Sequence, residues 1–339
     1  MKAMVYHDYG PPDVLKCEEV EKPTPNENQV LLRVRAAAVN PLDCGLMKGE
    51  PYLMRFLFGF PKPKTTRPGR DVAGQVEAVG RSVTRFKPGD ELFGVCTAGN
   101  WMDKVDGAFP EYVCTLENAL VTKPENITFE QAASAPIAAL TALQGLRDKG
   151  RIRPGQNVLI NGAAGGVGTF AVQIAKALGA QVTGVCSSRN VEMVRKIGAD
   201  HVVDYTLKDF TKGSEKYDLI FDLVGNHSFV EIRRVMIADG VFVGAGVVGG
   251  PKSIIGMLGG LILTILVSLV VSQRYATFVA KVNSKDLEVI RQMMASGRVI
   301  PIIDQVFPLS KTADAMRYQD QGHARGKIVI TVPRHAPNG

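Results

Sequence analysis

Asn157-Val158-Leu159-Ile160-Asn161-Gly162-Ala163-Ala164-Gly165-Gly166-Val167-Gly168 decides how the rest of the chain is read. Asn157 to Ile160 is a short apolar run of strand character. Behind the glycines, Val167, Phe170, Ala171, Ile174 and Leu178 recur at helical spacing, and Gly179 follows as a stop. Strand, glycine-rich turn and amphipathic helix, in that order, are the context a dinucleotide fingerprint requires. Ala163, Gly165 and Gly168 take its three positions, an AxGxxG variant. Small residues let the backbone of Ala164, Gly165, Gly166 and Val167 approach a pyrophosphate. The helix N-terminus then offers N–H groups and the positive end of its dipole.

Working outward, the next strand ends in Val185-Cys186-Ser187-Ser188-Arg189. A site that prefers NADH places Asp or Glu about twenty residues past the loop, to accept from the ribose 2′-hydroxyl. No carboxylate lies between Gly168 and Arg189. Ser187, Ser188 and Arg189 instead suit a 2′-phosphate, which points to NADPH. Further apolar runs at Val202–Asp204, Asp218–Val224 and Val241–Ala245 alternate with helical patterns, as parallel strands in βαβ units do. Residues 1–125 have another texture, with short β-type runs (Val30–Val34, Val72–Val79, Glu91–Val95, Tyr112–Thr115) broken by Pro and Gly. After Gly297 the chain is strand-like again (Val299–Phe307, Lys327–Val332), and these strands are expected to return to the first domain. The expected class is α/β: a β-rich domain of residues 1–127 and 299–339, and a doubly wound parallel-sheet domain of residues 128–298.

Composition agrees with two folded domains. The chain has 339 residues, 45% hydrophobic and 22% charged, which excludes a disordered or fibrous protein. Five scattered cysteines, never spaced as CxxC, exclude a disulfide scaffold and a four-cysteine zinc lobe. They suit a reducing compartment, and the N-terminal stretch turns polar at once, so a cytoplasmic location is expected. The net charge of +7 is spread along the chain, and the basic knot from Arg147 to Arg153 lacks interleaved aromatics. Nucleic acid is therefore not the expected partner, and an anionic small ligand accounts for the sign equally well.

Several pieces in order resemble the zinc-independent quinone oxidoreductase (zeta-crystallin-like) family of the medium-chain dehydrogenase/reductase superfamily. They are Asn40-Pro41-Leu42-Asp43, Pro68-Gly69-Arg70-Asp71-Val72-Ala73-Gly74, Gly107-Ala108-Phe109-Pro110-Glu111-Tyr112, Leu140-Thr141-Ala142-Leu143, the glycine turn, Gly198-Ala199-Asp200, Val203-Asp204-Tyr205 and Gly322-His323-Ala324-Arg325-Gly326-Lys327. The resemblance implies a GroES-like catalytic domain built from both chain ends and a Rossmann domain inserted between them. It implies hydride transfer from NADPH to a quinone or an α,β-unsaturated carbonyl. By family position Asn40 lies beside the nicotinamide, Asp43 orients nearby groups, Thr141 opens a helix towards the cofactor and Tyr52 donates to the substrate oxygen. Tyr205 flanks the 2′-phosphate, and Gly225, Ala245, Gly246 and Val247 complete the cofactor contacts. Family members commonly dimerise through the last Rossmann strand, here placed near Val241–Val243.

The zinc alcohol dehydrogenases of the same superfamily carry Cys where this chain has Asn40 and His-Glu where it has Arg70-Asp71. Two ligands are thereby lost, Arg70 repels a cation, and no His lies between His7 and His201, so no metal site is expected. Two alternatives stay open: an enoyl-thioester reductase of the same fold, and a non-catalytic NADPH- or RNA-binding protein. Ile254 to Ser272 forms nineteen residues without a charge, long enough for a transmembrane helix. A single span would put its two flanks on opposite sides of a membrane and divide the fold. The expected order is a buried or dimer-facing wall first, peripheral contact with a bilayer second and a span last.

Overall fold

The computed structural model describes residues 1–52, 54–97, 107–245 and 273–333. Gly246, Val247 and the uncharged run 254–272 lie outside the described residues. The chain forms two compact units, Met1–Ile137 with Val282–Gly297 and Pro301–Gly339, and Ala138–Lys281 with Arg298–Ile300. The first changeover thus falls ten residues beyond the boundary read from the texture of the sequence. The helix Ser284–Ala295 also groups with the first unit. Its apolar face (Leu287, Ile290, Met293, Met294) is buried, and Asn126 Nδ2 donates to its last carbonyls, Met294 O at 3.3 Å and Ala295 O at 3.4 Å.

Strands are numbered along the chain. In the first unit β1 (Lys2–Val5) and β2 (Lys16–Glu19) form an antiparallel pair. β3 (Gln29–Val39), β4 (Asp71–Val79), β5 (Glu91–Val95), β6 (Tyr112–Leu116) and β7 (Leu120–Thr122) build the sheet that follows. Two further strands of this unit, β14 (Ile303–Pro308) and β15 (Lys327–Thr331), come from the far end of the chain. The order is β14-β15-β3-β4-β5-β7, with β6 paired to β3. β3 is long enough to serve two partners on one side. Gln29–Arg33 pair with β6, and Ala36–Val39 pair with β15. The C-terminal strand therefore does return to the first domain. The register that sets Ile328 opposite Val39 brings Lys327 alongside Asn40. Alternating side chains of β3 and β4 (Leu32, Val34, Val72, Val76) join Met47, Phe109 and Ile330 in the core.

The second unit carries β8 (Asn157–Asn161), β9 (Gln181–Cys186), β10 (His201–Asp204), β11 (Tyr217–Asp222), β12 (Met236–Ala245) and β13 (Arg274–Phe278). All are parallel, in the order β10-β9-β8-β11-β12-β13. The chain winds outward from β8 one way and from β11 the other, so the switch point of a doubly wound sheet lies at the β8/β11 pair. β11 ends two residues before its expected limit because the Asp222 carboxylate turns the chain, accepting from Val224 N–H at 2.9 Å and Gly225 N–H at 3.0 Å.

One expectation is corrected. Val241–Val243 is not the last strand of this sheet, because β12 pairs with β11 on one side and with β13 on the other. Among the described residues the edges are β10 and β13. β13 follows directly on the uncharged run, so no turn signal announces it. Among the described residues no helix is long and apolar enough to cross a membrane.

Candidate functional site

In the second unit, β8 delivers the chain into the glycine turn at Asn161. Gly162 has φ +88°, a left-handed value that a residue with a Cβ rarely adopts. The helix Gly166–Ala177 begins after Gly165, and its first bond from the turn runs from Thr169 N–H to Gly165 O at 3.0 Å. The helical ladder thus leaves the N–H groups of Gly166, Val167 and Gly168 unpaired, a ready anion cradle. Gly168 closes the turn on itself. A Cβ there would stand 2.1 Å from Gly162 O and 2.8 Å from the Ala163 backbone. The arrangement can hold a pyrophosphate at backbone distance.

Ser187, Ser188 and Arg189 follow β9, with Ser188 and Arg189 exposed. The turn after β10 meets them, since Tyr205 N–H donates to Cys186 O at 3.0 Å and Ser188 Oγ lies 2.8 Å from Thr206 Oγ1. A carboxylate the sequence reading did not anticipate, Asp204, also reaches this rim. Hydrogen bonds from Ser188 and Thr206 hold it below the usual carboxylate range. Its Oδ1 already accepts from Thr206 N–H at 2.9 Å and Thr206 Oγ1 at 2.7 Å. Asn190 lies beneath, donating to Ser187 Oγ at 3.2 Å.

A second network was also missed. Asn161 Nδ2 donates to Asp222 Oδ1 at 2.9 Å and to Asn226 Oδ1 at 3.0 Å, tying the ends of β8 and β11 and fixing the turn that contains Gly225. Ala245 is buried at the end of β12. Thr141 does not open a helix. The helix begins at Pro136, a residue suited to a first helical position, and Thr141 lies within it.

In the first unit, Asn40 caps the helix α1 (Pro41–Lys48). Its N–H donates to Asp43 Oδ2 at 2.8 Å, one half of a capping box. Its amide is tied at both ends. Nδ2 donates to Asp71 Oδ2 at 3.0 Å, and Oδ1 accepts from Lys327 Nζ at 2.5 Å. Lys327 also donates to Val39 O at 3.2 Å and to Asp71 Oδ2 at 3.2 Å, while Ile137 N–H occupies Asp71 Oδ1 at 2.9 Å. Lys327 is 3% exposed and Asp71 0%, so this is a buried ion pair with its hydrogen bonds supplied. Burial pushes the Asp71 carboxyl up, against the pull of Lys327. Neither Asp71 nor Lys327 was singled out by its chemistry in the sequence, because the pair is 256 residues apart.

Asp43 faces a small pocket in the same unit, lined also by Tyr6, Tyr9, Leu46, Phe58, Arg67 and Arg70. Burial pushes the Asp43 carboxyl up to about 6, opposed by the hydrogen bond from Asn40 N–H. The folded state therefore holds this proton more tightly than the unfolded chain. Stability due to Asp43 is full below pH 4, falls as pH rises from 4 to 6 and is level above. At ~1.4 kcal/mol per pKa unit, the span is on the order of 3 kcal/mol. Asp43→Asn should flatten that part of the profile, read as urea midpoints at pH 4 and pH 7. An unchanged pH slope would contradict the assignment. Tyr52 lies outside this pocket lining, 61% exposed, with its ring 4.4 Å from the Arg55 guanidinium. Cys44 is buried and its thiol reaches Met316 O at 3.8 Å, a packing role.

Comparison with known proteins agrees with this architecture. Residues 26–125 match the alcohol dehydrogenase GroES-like domain, and residues 197–330 match the zinc-binding dehydrogenase family. The chain is 34% identical to the human mitochondrial NAD(P)H oxidoreductase RTN4IP1, over 98% of this chain and 89% of that protein. It is 35% identical to the chloroplastic NADPH-dependent alkenal/one oxidoreductase of Arabidopsis thaliana, over 97% of this chain and 79% of that one. The structure of the quinone oxidoreductase from Coxiella burnetii superposes with a TM-score of 0.85 at 29% identity, covering 98% of this chain and 99% of the other. The GroES-like and Rossmann units, their topology and these full-length likenesses together make the chain a member of the quinone oxidoreductase family within the medium-chain dehydrogenase/reductase superfamily.

Proposed function

We propose that this chain is an NADPH-dependent, zinc-independent reductase that passes hydride to quinones or α,β-unsaturated carbonyls. The observation that carries the reading is the glycine turn, where Gly162 and Gly168 clear a backbone cradle at the start of the helix Gly166–Ala177. When bound there, NADPH supplies the hydride. Ala164, Gly165, Gly166 and Val167 hold the pyrophosphate by backbone N–H groups and helix dipole. Ser187, Ser188, Arg189 and Tyr205 hold the 2′-phosphate. Thr141, Gly225 and Ala245 line the remaining length of the cofactor in this reading. Asn40 retains one amide N–H beyond its bond to Asp71, a donor for the nicotinamide end.

The family name implies zinc, and the residues here do not fit it. Asn40 Oδ1 and Asp71 Oδ2, the oxygens available, already accept from the Lys327 ammonium, and a divalent cation would have to share them with that charge. Arg70 adds a second cation close to Asp43. A quinone or enone needs no Lewis acid, since its conjugated carbonyl takes up the charge of the transferred hydride.

Cytoplasmic location belongs to the same reading, supported by five cysteines that are all free. So does a homodimer, through β13, whose outer edge pairs with no other described strand.

The test is NADPH oxidation by metal-stripped protein offered quinones, enones, enoyl thioesters and simple aldehydes in parallel. Turnover of quinones or enones, undiminished by stripping and unresponsive to zinc, is the expected result. Stoichiometric zinc that restores a lost activity would overturn the zinc-independent reading. Arg189→Ala should weaken NADPH binding about 10- to 100-fold, the worth of a charge-assisted hydrogen bond, with NADH nearly unchanged. Equal losses for both cofactors would show that Arg189 does not read the phosphate.

A further inference from the structure

We propose that the segment from Arg55 to Lys64 anchors the first unit to an anionic bilayer surface. Phe56, Leu57 and Phe60 enter the headgroup boundary, and Lys62 and Lys64 meet the lipid charges.

The segment opens with a short helix, Met54–Phe58. Gly59 N–H still donates to Arg55 O at 2.7 Å, and Gly59 then leaves the helix at φ +124°. A Cβ there would stand 2.2 Å from Lys62 O, so glycine lets the chain double back this closely. Lys64 N–H closes the return on Phe58 O at 2.7 Å. Phe60 is thereby stacked on Phe56, with ring centroids 5.3 Å apart and 12° between the planes. The stack fills no core. Phe56 is 62% exposed, Leu57 53% and Phe60 58%. Nowhere else among the described residues do three large apolar side chains stand this open within ten positions. Single exposed apolar residues are ordinary, whereas a cluster marks a surface that meets a partner.

The cluster is also held in place. Tyr9 Oη donates to Gly59 O at 2.8 Å, and the Arg55 guanidinium donates to Lys48 O at 3.0 Å and Gly49 O at 3.3 Å. Order is thus established before a partner arrives, which lowers the entropy lost on binding. The charge around it has one sign. From Pro51 to Arg67 the chain carries Arg55, Lys62, Lys64 and Arg67 and no carboxylate. Lys62 Nζ lies 3.2 Å from Asp8 Oδ1, but both side chains are more than two-thirds exposed, so lipid headgroups replace Asp8 at little cost. Apolar tips beside lysines whose stems run past them are the composition of an interfacial anchor. The stacked rings present one continuous apolar tip, not the slot that a peptide side chain would need. Each lysine near an anionic surface strengthens binding about fivefold, so the attachment is reversible.

The full chain is mixed with vesicles of phosphatidylcholine, alone or with about 30% phosphatidylserine, and bound protein is read by flotation. Wild type should bind the anionic vesicles at least tenfold more tightly than the neutral ones, and added salt should weaken that binding. Phe56→Ser with Phe60→Ser should lower it at least tenfold, and Lys62→Ser with Lys64→Ser about tenfold. Melting temperatures and NADPH titrations establish that each variant is folded. Val306→Ser, at an exposed position of β14, should bind as wild type does. No wild-type binding, or equal affinity for both kinds of vesicle, would overturn the proposal. So would full binding by the Phe56/Phe60 variant, the result that contact through residues 254–272 would give. Sedimentation velocity tests a second copy as the occupant. A change of oligomeric state in that variant, with vesicle binding kept, would give these rings to self-association and overturn the membrane assignment. Tighter binding to polyglutamate than to anionic vesicles would give them to an acidic protein, with the same consequence. None of these readouts depends on turnover of a quinone or an enone.

Discussion

Lys327→Met should destabilise the protein by about 3–5 kcal/mol, the cost of leaving a buried charge without its partner. Methionine replaces the aliphatic stem of lysine closely, so the loss falls on the ammonium and what it neutralises. Asp71 would keep its bonds from Asn40 Nδ2 and Ile137 N–H, but no cation would remain within hydrogen-bond reach among the described groups. Asn40 Oδ1 and Val39 O would lose a donor as well. The sign of the pH dependence follows. Without Lys327 the Asp71 carboxyl rises further above its unfolded value, so the defect is largest at neutral pH and shrinks as acid protonates Asp71. Asp71→Asn in the Lys327→Met background should recover most of the loss, since a neutral amide replaces the stranded carboxylate. Urea midpoints for the wild type, both single variants and the double variant give the coupling directly. A Lys327→Met protein within 1 kcal/mol of wild type would mean that the pair does not hold β3, β4 and β15 together.

Gly168→Ala should weaken NADPH binding about 10- to 100-fold while most of the second unit stays folded, on the scale of 1–3 kcal/mol for overpacking a tight site. The added methyl would meet Gly162 O at 2.1 Å and the Ala163 backbone at 2.8 Å. None of these atoms ends a flexible side chain, so the strain is relieved only by opening the turn. Opening it moves the N–H groups of Gly166 and Val167 away from a pyrophosphate. Fluorescence titration with NADPH, beside a circular dichroism melt, separates lost affinity from lost structure. Affinity within twofold of wild type would show that this helix N-terminus is not where the pyrophosphate sits.

The legible parts of the molecule share one property. The glycine turn, the amphipathic face of the helix Gly166–Ala177 and the apolar parallel strands all signal through neighbours within one element or the next. Steric limits on φ at Gly162 and helical spacing from Val167 to Leu178 act over that range. The return of the C-terminal strands could be read because the β texture resumes after Gly297. β13 could not, since an uninterrupted uncharged run hides its start, and so the edge of the Rossmann sheet was placed one strand too early. Thr141 was placed at a helix opening by family position, whereas the local sequence starts that helix at Pro136.

By itself, the sequence determined the order of the elements, the dinucleotide turn and the loss of zinc-type residues at positions 40 and 70. Each depends on residue type at short spacing. Only the tertiary structure decided which polar groups meet. Asp71 and Lys327 pair because the β15–β3 register sets Ile328 against Val39. Asp204 reaches Ser188 because β10 and β9 run parallel as neighbours. Tyr6, rather than Tyr52, lines the pocket of Asp43 because its backbone is fastened to Thr66. Strand pairing between distant segments is chosen by the burial of whole faces, and a single polar side chain leaves too small a signal in the sequence to announce its partner.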